Sequence, residues 1–174
     1  GIGMGLSRTL RAYLYPSFSV VSQFPVLGWI PLLIIFVGID EALKIVAISI
    51  AVVVPVTIGT LKGIDGIPAA WLEVARVYGF RPMQVLTRVV LPAAAPSLFT
   101  GLRQAVMQAW LSLVFVELLA SSEGIGYLIV WGRQLSQPDL VVAGMAVIAT
   151  VGMLLDAALR AVESRMQRWR RAAF

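Results

Sequence analysis

The chain has 174 residues, of which 59% are hydrophobic and 13% charged, and its mean hydropathy is +0.89. A soluble domain carries about 25% charged residues, so the composition points to a polytopic membrane protein. The 174 residues hold no cysteine and no histidine, which removes disulfides, cysteine-ligated metals and the usual general base near neutral pH.

The chain opens on Gly1-Ile2-Gly3-Met4-Gly5-Leu6, without the pattern of a signal peptide. This run reads as the tail of a span whose beginning is missing, with its glycines serving helix packing. A membrane helix needs about 20 mostly apolar residues. Four such spans are predicted, over 24–39, 45–61, 97–120 and 140–159. A short polar turn, 40–44, joins the first two. A loop rich in Gly, Ser and Gln, 121–139, joins the last two.

Between the second and third spans lies a polar, basic island, and the elbow built around it runs over 62–92. It holds Arg76, Arg81 and Arg88. Loops of this length inside a compact bundle are uncommon without a function. Its punctuation predicts two short helices. Asp65 is a candidate cap, Pro68 a first helical position, and Gly79 a helix end that needs positive φ. Pro82 then starts a second short helix, and Pro92 is expected to stop it.

The third span carries Gln104, Gln108 and Ser112 at four-residue intervals, with Gly101 near the same line. Polar side chains within spans face a bundle interior or a water-filled cavity. This stripe is a candidate translocation path at the contact between two copies of the chain. Glu117 sits off the stripe near the outer end and reads as a cap. In the fourth span, Ala143, Ala146, Thr150 and Ala157 form a small-residue ridge suited to helix packing, and Asp156 has Arg160 as an i+4 partner.

The net charge of +5 is unevenly placed. Arg8, Arg11, Lys62, the island arginines and the basic tail 160–171 fall on one side, with Arg103 able to snorkel there. Only Lys44 and Arg133 fall on the other. The positive-inside rule puts the elbow and the C-terminus in the cytoplasm, and the tail against anionic lipid headgroups. That use of the cations speaks against nucleic acid as a partner. No phosphate-cradling Gly-Lys-Ser/Thr loop, carboxylate pair or metal constellation is present. The chain is therefore expected to be no enzyme and to carry no cofactor.

Glu73-Val74-Ala75 is followed after three residues by Gly79, and after nine more by Val89, one residue and Leu91-Pro92. This spacing resembles the cytoplasmic loop signature of permease subunits in ATP-binding-cassette importers. That signature reads Glu-Ala-Ala, Gly, Ile and Leu-Pro at the same intervals. The chain departs from it conservatively, with Val74 for Ala and Val89 for Ile. Trp29-Ile30-Pro31-Leu32, Phe36-Val37-Gly38-Ile39-Asp40-Glu41, and the stretch from Glu117 through Gly124, Gly126 and Tyr127 to Leu128 look like the nitrate, sulfonate and taurine branch. Glu123 stands where that branch usually has a small residue. The resemblance covers essentially the whole chain.

It implies an all-α, type I importer permease bundle with four complete spans and the tail of a truncated one. It implies that Glu73, Ala75, Arg76, Gly79, Leu91 and Pro92 belong to an ATPase-coupling elbow. It also implies a separate ATPase subunit, an extracytoplasmic binding protein docking on the outer loops, a second permease copy and a bacterial inner-membrane location. The expected cargo is a small anion such as an aliphatic sulfonate, taurine or nitrate. A pyrimidine-type vitamin precursor, or an ion-coupled carrier mechanism, is the alternative.

Overall fold

The computed structural model describes residues 1–166, and every regular element among them is helical. In chain order these are α1 (Ile2–Leu6), α2 (Arg8–Ser22), α3 (Val26–Val37), α4 (Glu41–Asp65), α5 (Ala69–Val77), α6 (Pro82–Val85), a π-turn (Leu86–Val90), α7 (Leu91–Ala120), α8 (Ile125–Gln134) and α9 (Pro138–Met166). At 1.5 Å per residue, α4, α7 and α9 reach about 37 to 45 Å, enough to cross a hydrocarbon core of about 30 Å.

The predicted span over 24–39 takes a different form. Its helix, α3, has 12 residues and a length of about 18 Å, too short to cross alone. Pro25 caps it in an extended conformation, and α2 meets α3 at 91°. The apolar run is thus half of a bent pair. Three helices are long and apolar enough to span, or four if the bent pair counts as one.

The elbow also differs from expectation in three details. Pro68 is the N-cap of α5 with ψ 132°, and Ala69 is the first helical residue. Asp65 is the last residue of α4 and does not cap α5; both its carboxylate oxygens accept from Arg11, at 2.7 and 2.9 Å. Pro92 does not stop a helix. The chain stays helical from 82 to 120, because the π-turn lets Leu91 N–H reach Leu86 C=O. Widening the ladder just before Pro92 accommodates a residue that has no N–H to give.

The α4–α7 pair is the heart of the bundle. Gly59 and Gly101 let the two backbones touch: a Cβ on Gly59 would lie 2.7 Å from Gly101 Cα and 3.0 Å from Ser97 C=O. Gly63 against Ala94 continues this contact. Small residues at membrane helix interfaces allow such approach, and dispersion then replaces the hydrophobic drive that lipid cannot supply. Toward the other end of α4, Leu43 and Ala47 are buried with Ile30 of α3 and Val116 of α7.

The helix α1 lays Gly5 on Ile64 of α4, so its glycines serve packing. The helix α9 packs by Gly152 near Trp110 and Gly144 near Ile129. The predicted ridge of Ala143, Ala146, Thr150 and Ala157 instead faces outward and is exposed. The sequence expectation chose the wrong small-residue face, because two glycines permit closer approach than alanines.

Gly59→Val places methyl groups where the α7 backbone stands. The substitution is expected to destabilise the bundle by about 1–3 kcal/mol or more, seen as a lower Tm in detergent. An unchanged Tm would contradict the close α4–α7 packing.

Candidate functional site

Among the described residues, polar or charged side chains gather in the elbow, along a cavity, between α7 and α9, and at the loop between α7 and α8. In the elbow, α5 ends in a Schellman motif. Gly79 takes φ +65°, its N–H donates to Arg76 C=O, and Phe80 N–H donates to Ala75 C=O at 3.0 Å. Only a residue tolerating the left-handed region closes this motif without strain. Gln84 then accepts from Arg81 N–H at 2.8 Å, fixing the start of α6.

Ala75 is buried on the inner face of α5. Glu73 and Arg76 are exposed, and Glu73 has no ion-pair partner among the described residues. Trp71, Val74, Val77 and Tyr78 are exposed too, Val77 at 86%. A short helix with an apolar outer face and unpaired charges is shaped for contact with something outside the chain. Leu91 and Pro92, exposed at the start of α7, lie beyond this helix and serve the continuous link into the membrane segment.

The polar stripe lies along a cavity of about 540 Å³ between α2, α3, α4 and α7. Gln104, Gln108 and Ser112 all line it, together with Trp29, Pro55 and Lys62. Both glutamines are exposed to the groove, while Ser112 is buried and its Oγ has no hydrogen-bond partner among the described residues. Gly101, near the stripe in sequence, is withdrawn into the α4–α7 contact.

Beside the stripe, α7 is tied to α9 by ion pairs. Arg103 does not simply snorkel. Its Nη2 lies 2.7 Å from Asp156 and its Nη1 3.2 Å from Glu163. Asp156 also accepts from Arg160, the expected i+4 pair, at 2.7 Å. Thr100 donates to Glu163 at 2.9 Å. Arg168, Arg170 and Arg171 of the predicted lipid-facing tail lie outside the described residues.

These helices are matched by the family described as "Binding-protein-dependent transport system inner membrane component", over residues 1–168. The chain belongs to this family. It is similar to the putative aliphatic sulfonates transport permease protein SsuC of Bacillus subtilis, 42% identical over 98% of the chain and 62% of the relative. It is also similar to the taurine transport system permease protein TauC of Escherichia coli, 37% identical over 97% of the chain and 62% of the relative. The bicarbonate transport system permease protein CmpB of Synechococcus elongatus is 35% identical over 97% of the chain and 60% of the relative. The chain thus spans less than two thirds of the length of these relatives. With its long apolar helices, it is a multi-pass membrane component of all-α fold.

In this chain the loop between α7 and α8 is held by Glu117. The carboxylate reaches across the α7–α8 junction and accepts from Gly126 N–H at 2.9 Å, so it caps the start of the next helix. Gly124, at φ +106°, lies against the Glu117 carboxyl, and a side chain there would overlap it. Lys44 joins the same end of the bundle, bonding Glu41 at 2.7 Å and standing 3.9 Å from Glu123. The unusual Glu123 therefore faces a cation on α4. The cap expected of Glu117 is present, and what the sequence did not show is its target, the Gly126 N–H at the start of the following helix. Nothing in the sequence pairs Arg103 with residues 53 and 60 positions away.

Glu117→Ala leaves Gly126 N–H without its charged acceptor, at a cost of about 1–3 kcal/mol. Amide exchange at 125–128 is expected to accelerate about tenfold or more, while Glu117→Gln retains part of the protection. Equal exchange in all three proteins would remove the cap. In a double-mutant cycle on Arg103→Gln and Asp156→Asn, the double variant is expected to lose less Tm than the two single variants summed. Additive effects on Tm would show that the pair does not hold α9.

Proposed function

We propose that the chain is the transmembrane part of an ATP-driven importer for a small anion, working as two permease copies with separate ATPase subunits and an extracytoplasmic binding protein. The observation that carries this reading is one unbroken helical run, 82–120, which begins in the elbow and continues as the wall bearing Gln104 and Gln108. A displacement of the elbow therefore has a stiff route to the cavity. Elbow and C-terminus face the cytoplasm in this reading, as the charge distribution favours.

The elbow sits in a groove of the ATPase. Trp71, Val74 and Val77 supply apolar contact, and Glu73 finds on that partner the arginine it lacks here. Ala75 seats α5 on the rest of the elbow, and Gly79 fixes the angle between α5 and α6. The substrate-loaded binding protein docks on the outer loops. ATP draws two ATPases together, the elbows follow, and the cavity opens outward. Hydrolysis restores the inward-facing form. A ligand with greater affinity for one of these two states moves the equilibrium by that difference alone.

Amides and a hydroxyl lining the route suit an anion, since they donate hydrogen bonds without holding it as a fixed charge would. The similar permeases carry names that include aliphatic sulfonates, taurine and bicarbonate, all compatible with this lining.

The full-length permease with its ATPase and binding protein, assayed with taurine, an alkanesulfonate, nitrate and bicarbonate, tests the proposal. Gln108→Leu is expected to abolish uptake of the transported anion while assembly persists. Gly79→Pro and Glu73→Lys are expected to lower substrate-stimulated ATP hydrolysis at least about tenfold, equivalent to about 1.4 kcal/mol of activation free energy. Normal uptake in Gln108→Leu would remove the path, and normal stimulation in both elbow variants would remove the coupling role.

A further inference from the structure

Lys62 is the last-turn cation of α4, and its bland role is to complement that helix end. Its surroundings add another. It is the one charged side chain lining the 540 Å³ cavity among the described residues. It also lines a second cavity of about 330 Å³, between α4, α7 and α9. Lys62, Ile58 and Gln104 are common to both. The polar stripe therefore does not end at Gln104; it continues through Thr100 and Ser97, with Lys62 at the junction.

The acids that could neutralise Lys62 are engaged elsewhere. Asp65, one turn on, is held through both oxygens by Arg11 at 2.7 and 2.9 Å. Glu163, the other charged residue of the second cavity, is bonded by Arg103 at 3.2 Å and by Thr100 at 2.9 Å. Lys62 itself has no ion pair among the described residues. A single uncompensated cation in a groove with apolar walls focuses positive potential into that groove.

We infer that Lys62 sets the anion preference of the elbow-side mouth of the path. It attracts a carboxylate-, sulfonate- or bicarbonate-sized anion at the junction of the two cavities, between Gln104 and the open end. The inference rests on the reading of the stripe as a path. A lysine suits this place better than arginine would, because its compact, hydrated charge draws an anion without the bidentate geometry that holds one.

These 174 residues contain no cysteine, so a cysteine placed at Gln104 reports the local potential directly. The experiment uses the full-length permease, with any cysteine elsewhere removed, in membrane fragments open on both sides. Gln104→Cys is reacted with an anionic sulfonate thiosulfonate and with its cationic trimethylammonium counterpart, and the ratio of the two rates is measured. Lys62→Gln is expected to lower the anionic-to-cationic ratio by about fourfold or more, the size expected for one charge acting at about 10 Å through water. Lys62→Arg is expected to keep the ratio, and Lys62→Glu to lower it further. High salt should shrink all these differences. An unchanged ratio in Lys62→Gln and Lys62→Glu, with Gln104→Cys reactive, overturns the role of Lys62 and leaves the path standing. A Gln104→Cys that reacts with neither reagent overturns the path and this inference together.

Discussion

Everything in this fold hangs on the approach of α4 and α7 at Gly59 and Gly101. The two backbones touch there, with Gly63 against Ala94 and the Ser97 carbonyl close by. In lipid, helices gain little from hiding apolar surface from one another, so contact area at short range is what holds them. That contact fixes where Lys62 leaves α4 and where Gln104 leaves α7, and so brings them to one junction. It also sets the base of the elbow, since the chain leaves α4 at Asp65 and returns through the helical run 82–120. A side chain added at either glycine would disturb packing, cavity and elbow at once.

The ionic contacts sort to the two ends of this frame. At the elbow end, Arg11 holds Asp65, and Arg103 bridges to Asp156 and Glu163. At the far end, Glu41, Lys44 and Glu123 meet near the Glu117 cap. The Arg11–Asp65 pair is more than a third exposed, and such pairs contribute about 1 kcal/mol or less. Their larger effect is to use up acids and leave Lys62 unopposed. The Arg103 cluster is more enclosed and charge-assisted on several sides, so its loss would cost more.

Much of this was legible in the sequence because membrane helices must satisfy their own backbone and so advertise themselves by length and hydropathy. The runs that became α4, α7 and α9 stood out for that reason. Gly79 and Pro82 marked the elbow's turn, because positive φ and a missing N–H have few other uses. Local rules failed where tertiary context overrode them. Pro92 looked like a stop, but a π-turn in front of it absorbs the lost hydrogen bond. The run over 24–39 looked like a straight span, but the chain turns at 91° just before Pro25. The α9 packing face was read from alanines when glycines made the contact. The long-range ion pairs and the double lining by Lys62 had no local signal at all.

The proposed function makes the elbow a lever, with the Lys62 junction of the two cavities beside its hinge. Its central claim is that the apolar outer face of α5 is an ATPase contact. The most direct measurement places a photo-crosslinking amino acid at position 77, the exposed Val77, in the full-length protein expressed in its native host, where its own P-loop ATPase would be present. The account predicts a covalent adduct with that ATPase, absent when the probe is moved to the exposed Leu154 within α9. Adducts with lipid alone, or with the same yield of ATPase from both positions, would contradict it.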